Sequence, residues 1–237
     1  MTSSKYPESE IEAQFVKFKE GDLEVGGYLA HPKTALALPG LLLTHEWYGL
    51  NDHIKDVARR YAREGFVTLA VDLYDGRVAK DKDEAAKFMN EMKSEEALKR
   101  VRAAFNHLKP QTFVKAGRIG ITGFCMGGSI ALLAACHISD LKAAAPFYGD
   151  IPDPDDPVKN IHCPLLFIGA GLDQWITIAK MERLTAAIKK YGIQGEVFIY
   201  PKAQHAFFNN MRPEVYNADA AADAWRRVLE FLHKNLD

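Results

Sequence analysis

The sequence is short of cysteine: Cys125, Cys136 and Cys163 are the only three in 237 residues. That number is odd and too small for a disulfide-stapled scaffold. It also lacks charge of one sign, with 30 Lys and Arg against 31 Asp and Glu. The basic excess that phosphate contacts demand is missing, so no nucleic-acid partner is expected. No apolar run approaches the ~20 residues that cross a bilayer, so no membrane partner is expected either. The leading residues, MTSSKYPESEIE, contain no apolar segment of the kind a secretory signal needs. Lipidation signals are missing from both ends. Free thiols persist best in a reducing compartment, which makes a cytoplasmic location the expectation.

Metal and cofactor signatures are missing too. His31, His53, His107, His137, His162 and His233 are scattered without ligand spacing, and no CxxC occurs. No G-x-G-x-x-G follows the early strands, so no dinucleotide is expected. Neither a metal nor a cofactor is therefore expected. No repeat of fixed period and no low-complexity linker divides the chain, and the Pro/Asp-rich stretch 150–157 reads as a surface loop. The expectation is a single domain over 1–237, with 1–12 a flexible leading segment, as a monomer or small homo-oligomer.

What is present is an ordinary globular composition, 48% apolar and 26% charged, patterned as alternating strands and helices. Phe15–Lys19 and Gly27–Ala30 read as an opening antiparallel pair. Short apolar strands follow at Leu41–Thr44, Val67–Val71, Arg118–Thr122, Ala143–Phe147, Leu165–Ile168 and Glu196–Tyr200. Between them, helical spacing marks Asp52–Arg63, Lys80–Lys93, Glu95–Leu108, Gly128–Cys136, Ile178–Tyr191 and Ala218–Leu236. Continuous apolar strands separated by helices predict an α/β fold, a mostly parallel sheet covered on both faces. In such sheets functional residues gather at the carboxyl ends of the strands.

Four strand ends carry chemistry. Gly123-Phe124-Cys125-Met126-Gly127-Gly128 lies between a strand and a helix, and its G-x-C-x-G is a nucleophile elbow with cysteine in place of serine. A sharp turn crowds the neighbours of its central residue, and Gly123 and Gly127 relieve that crowding. The sulfur then stands at a helix N-terminus, where thiolate is favoured. The alternative is a buried structural cysteine in a glycine-rich turn. Asp173, after Leu165–Ile168, suits an orienting carboxylate or, alternatively, a helix cap. His205, after Glu196–Tyr200, suits a general base, although a lone loop histidine is more often simply solvated. The order nucleophile, acid, histidine is that of Ser-Asp-His hydrolases. The fourth end, Thr44-His45-Glu46-Trp47-Tyr48-Gly49, corresponds to the loop that gives one oxyanion-hole N–H, from Trp47; the residue after the nucleophile, Met126, gives the other. Glu46 could touch the thiol or be a solvated carboxylate. Cys136 and Cys163 read as packing thiols. Among aromatic residues near the motifs, Tyr48, Phe124, Trp175 and Phe207 are candidates to line a compact substrate pocket, and core packing is the alternative for about half of the set.

The pieces HEWYGLNDHIKDVARRYAREGF, VDLYDG, GFCMGG, GLDQWI and QHAFFN, in this order from Leu41 to Asn209, resemble the dienelactone hydrolases, the carboxymethylenebutenolidases. The resemblance implies an α/β-hydrolase fold, a Cys-His-Asp triad on Cys125, His205 and Asp173, and a small ester or lactone as substrate. It further implies that Glu46 contacts the thiol and helps form thiolate when substrate binds. The family's carboxylate-binding arginines are not matched. Phe207-Phe208-Asn209 follows the histidine, with no arginine before Arg212, and Lys82-Asp83-Glu84 stands on the helix after VDLY; Arg77, Lys80 and Lys87 are the nearby cations. A second reading keeps Cys125 for ligand binding or thiol-redox sensing without hydrolysis.

Overall fold

Leu41, Leu42 and Leu43 are consecutive, so in a strand they cannot all face one side, and a strand that holds them must be covered on both faces. A computed structural model, describing residues 4–237, places them so. Leu42 packs in one core, and Leu41 and Leu43 pack in a second core on the opposite face. In chain order the elements are β1 (Ile11–Glu20), β2 (Leu23–Pro32), β3 (Leu38–Thr44), α1 (Asp52–Arg63), β4 (Val67–Val71), α2 (Lys82–Glu91) and α3 (Ser94–Leu108). They continue with β5 (Val114–Phe124), α4 (Met126–His137), β6 (Ala143–Phe147), β7 (Leu165–Ala170), α5 (Ile178–Tyr191), β8 (Gly195–Tyr200) and α6 (Ala218–Leu236).

The strands form one eight-stranded sheet in the order β1-β2-β4-β3-β5-β6-β7-β8. β1 pairs antiparallel with β2, and β2 antiparallel with β4. Every pairing from β4 across to β8 is parallel. Apolar faces of α1 and α6, including Ile54, Val57, Val228 and Leu232, cover one side. Val101 of α3, Ile130 of α4 and Leu184 of α5 cover the other. This is the mostly parallel, doubly covered sheet that the sequence predicts. No described helix is long and apolar enough to cross a membrane.

Helix ends follow local signals. Asn51, Thr177 and Asn217 accept from the backbone N–H of Ile54, Lys180 and Ala220 and so cap α1, α5 and α6. Gly192 ends α5 in the left-handed conformation, φ +66°. Two boundaries differ from the sequence reading for a common reason. The hairpin β1/β2 runs over ten paired residues, because ladder bonds continue through polar residues wherever one face meets water. β5 likewise begins in polar sequence at Val114, not at Arg118. The leading segment makes contacts where it is described. Ile11 and Glu12 open β1, Tyr6 N–H donates to Arg63 O (2.8 Å), and Glu8 pairs with Arg59. Residues 1–3 of that expectation lie outside the described residues.

Candidate active site

β5 turns into α4 within one residue. Cys125 sits at φ +57°, ψ −121°, a backbone conformation that costs an L-residue about 1–3 kcal/mol and persists only where packing over-determines it. The packing is backbone against backbone. A Cβ on Gly127 would stand 2.3 Å from Thr44 O and 2.5 Å from His45 O, and one on Gly123 would stand 2.4 Å from Gly127 O. The elbow is thereby pressed onto the end of β3, where Thr44 Oγ1 donates to Gly127 O (2.6 Å). Neither backbone can retreat, since Thr44 ends the central strand β3 and Gly127 lies in the first turn of α4, tied to β5 by a single residue. Gly127→Ala is therefore expected to destabilise the fold by more than about 3 kcal/mol, read as the shift of a urea unfolding midpoint. A change below about 1 kcal/mol would mean that the elbow is looser than its contacts show. This tightness also explains why α4 begins at Met126 and not at Gly128.

Asp173 follows β7 and His205 follows β8, and the two side chains meet. His205 Nδ1–H donates to Asp173 Oδ2 at 2.6 Å. Oδ1 of the same carboxylate accepts from the backbone N–H of Trp175 (2.9 Å) and Ile176 (3.0 Å). Burial works against ionised Asp173, but the bonds from His205, Ile176 and Trp175 overcome it and hold the carboxyl below its ordinary value. For His205 burial likewise opposes the charged form. The Asp173 carboxylate and then the Cys125 sulfur outweigh it and push the imidazole up to about 10. Asp173 and His205 are thus hydrogen-bonded through Nδ1, which leaves Nε2 for any other partner, and the Cys125 sulfur is the second group whose presence raises the imidazole.

Glu46 is almost fully buried, and burial raises its carboxyl above the ordinary range, against the lowering effects of Asn209, Arg212 and His205. Asn209 Nδ2 donates to Glu46 Oε2 (2.6 Å), while Oε1 has no partner. The resting carboxyl is accordingly bonded to a neutral amide and not to the thiol, which differs from the contact that the family resemblance implies. His45 fixes the loop that carries Glu46. Its Nε2 accepts from Leu73 N–H (3.1 Å), which requires the proton on Nδ1, and Nδ1 donates to Glu46 O (2.6 Å). Burial keeps this histidine below its ordinary pKa, hence neutral. Tyr148, the first residue past β6, has φ +35°, is 1% exposed and has no partner for its hydroxyl; its ring centroid lies 5.1 Å from that of His205. Sequence reasoning gave no role to His45 or Asn209, and counted Tyr148 only among the aromatic residues near the motifs that line a pocket or pack in the core. For Tyr148 and His45 the available signal was their place at a strand end, and for Asn209 its place in QHAFFN.

The other candidates divide. Met126 is the first residue of α4, so its N–H has no intrahelical acceptor. Trp47 and Tyr48 are half-buried and pack edge-on, centroids 5.3 Å apart. Trp175 is exposed and stands beside His205. Phe124 and Phe207 are corrected: both are 0% exposed, Phe124 against Phe147 and Phe208, Phe207 against Tyr148 and Tyr200. They are core that supports the site floor and offer a substrate no surface. Arg77 bonds Glu91 (2.8 Å) and Tyr74 O (3.1 Å), and Lys87 lies 4.0 Å from the same Glu91. Arg212 pairs with Glu214 (3.0 Å) and is the cation whose charge reaches Glu46. Cys136 and Cys163 are buried, their thiols pushed up by burial to about 12 and about 11. Among the described residues no group of three or more His, Cys, Asp or Glu is placed to hold a metal ion.

Known proteins share this chain's pattern along most of its length. The profile of the dienelactone hydrolase family matches residues 25–236. The protein usf of Aquifex pyrophilus is 34% identical over 94% of this chain and 99% of its own. A protein of Aquifex aeolicus named "Putative carboxymethylenebutenolidase" is 33% identical over 92% of this chain and 96% of its own. A crystal structure from Klebsiella pneumoniae, titled as a "Putative Dienelactone Hydrolase", superposes with a TM-score of 0.85 at 29% identity, covering 94% of this chain and 99% of that one.

Proposed function

The chain belongs to the dienelactone hydrolase family of carboxylic ester hydrolases, with the α/β-hydrolase fold, and from that premise we propose that it cleaves a small ester or lactone through Cys125, His205 and Asp173 by way of a thioacyl-enzyme. The observation that carries this is the His205–Asp173 hydrogen bond at the ends of β8 and β7, with Cys125 on a strained elbow at the end of β5 as the second group that raises the same imidazole.

The Cys125 sulfur attacks the carbonyl carbon, and the N–H groups of Trp47 and Met126 hold the developing oxyanion. As the tetrahedral intermediate collapses, the C–O bond to the alcohol breaks and His205 Nε2–H gives that oxygen its proton. The sulfur, now acylated, carries no charge beside the imidazole. One of the contacts that raised His205 is gone, so its pKa falls and the ring can take a proton from water. The water oxygen attacks the thioester, the C–S bond breaks, and acid and thiolate leave with the imidazole protonated again. Asp173 holds Nδ1–H throughout. Glu46 is assigned to draw the thiol proton as substrate enters and to return it to the Cys125 thiolate once the acid has left. A carboxyl raised by burial is a better proton acceptor for a thiol than an ordinary one, and Oε1 is unpartnered.

Stoichiometric alkylation of Cys125 by iodoacetamide is expected to abolish hydrolysis of p-nitrophenyl acetate in step with labelling. The same modification should move the His205 pKa, followed by NMR, down from about 10. Turnover by fully alkylated protein would overturn the assignment of Cys125, and an unmoved His205 would break its link to the sulfur. The histidine also makes a stability statement. Its folded pKa is raised, so its contribution is complete below the ordinary value of about 6.5 and is lost as pH rises through about 10.

A further inference from the structure

Trp175 is 68% exposed although its ring stands beside His205, centroids 5.1 Å apart and planes at 78°. Nothing in the reaction above requires an indole there, and an indole left in water forgoes the burial that its apolar area would reward. Its position is nevertheless fixed. The Trp175 N–H donates to Asp173 Oδ1, so the carboxylate that orients His205 also sets the origin of this side chain. Leu172, on the same loop, and Ile178, the first residue of α5, are 56% and 40% exposed. The only charged residue from 171 to 178 is Asp173, which is buried. The exposed surface beside the histidine thus carries no charge, with Leu172, Trp175 and Ile178 as its apolar groups and Gln174 and Thr177 as its polar ones.

The chemistry says what should meet it. Nδ1 of His205 is taken by Asp173, so the leaving oxygen must approach Nε2. Whatever the alcohol oxygen carries lies on the histidine side, whereas the acyl group is held between Cys125 and the loop of Trp47. We propose that Trp175 is a specificity-determining residue that receives the alcohol portion of the substrate and selects an uncharged aromatic or bulky apolar group. This rests on the hydrolase reading above and names the half of the substrate that the reading leaves open.

The test compares 2-phenylethyl acetate with ethyl acetate, which share an acyl group and have alcohols of similar basicity. The wild-type protein should favour the phenylethyl ester in kcat/KM. Trp175→Ala should lower the ratio of the two kcat/KM values about tenfold, mainly through KM of the larger ester, a size typical of apolar pocket contacts. Trp175→Phe should recover most of the ratio. A merely structural tryptophan would lower both rates together and leave the ratio unmoved, and that result overturns the proposal, as does a wild-type protein without preference. If neither ester, nor p-nitrophenyl acetate, shows hydrolysis dependent on Cys125, the hydrolase reading itself falls. Hydrolysis of both esters with an unmoved ratio removes only the role of Trp175.

Discussion

Replacing Cys125 with alanine is expected to lower kcat/KM for an activated aryl ester by at least about 10⁴-fold, because a nucleophile that acts as a unit with its base takes nearly all of the catalysis with it. No neighbour can stand in. Ser129 is committed: its Oγ accepts from Asp150 N–H (2.7 Å) and lies 3.3 Å from Cys125 O. Cys136 and Cys163 are buried in the core beneath α3, α4 and α5, with thiols that burial keeps protonated. What remains is water activated by His205 and whatever the oxyanion N–H groups contribute. The backbone argument makes this substitution clean. Alanine keeps the Cβ of cysteine, so the strain at φ +57° is the same and the elbow keeps its shape. The unfolding midpoint should therefore move little while the rate collapses. A variant that keeps more than about a tenth of the wild-type kcat/KM would show that the sulfur is not the nucleophile and that His205 serves water directly.

The sheet was legible because burial on two faces leaves a plain trace, runs such as Leu41–Leu43 and Ala143–Ala145 with no polar interruption. Helices α1, α5 and α6 were legible to the residue because capping side chains and a terminal glycine stand where chain geometry needs them. Strand lengths were less so, since ladder bonds do not depend on side chains and β1, β2 and β5 run on through polar sequence. At the site, the residues that one strand end supplies alone could be named: Cys125, Asp173 and His205 each follow a recognisable strand. Contacts made between loops could not. That Asn209 bonds Glu46 across 163 positions, or that His45 ties its loop to Leu73, is set by how loops from different strands fold over one another. The same limit misjudged the aromatics. Phe207 and Trp175 both stand near a motif, but one is fully buried and the other open to water, and only the third dimension separates them.

Asp173→Asn should cost about 10³–10⁴-fold in kcat/KM, a loss of the size seen when a triad imidazole is held in the wrong tautomer. The backbone dictates how the amide must sit. Trp175 N–H and Ile176 N–H both point at Oδ1 and need an acceptor there. An amide nitrogen at that position would oppose two donors in a buried setting, so the asparagine must place its oxygen toward them and its NH₂ toward His205. Nδ1 is then met by a donor and has to accept. The proton moves to Nε2, which can no longer take one from water. His205 also loses the carboxylate, the stronger of the two partners that raise it, and should titrate well below about 10. Asp173→Ala should be worse for stability and no better for activity, because it leaves those two N–H groups buried without an acceptor, at about 1–3 kcal/mol each. The decisive comparison is kcat/KM for p-nitrophenyl acetate across the two variants, with the His205 pKa followed by NMR. If Asp173→Asn keeps activity within tenfold of wild type, the cysteine does not need an oriented imidazole and works as a preformed thiolate, and the role of the carboxylate reduces to holding the loop of Trp175.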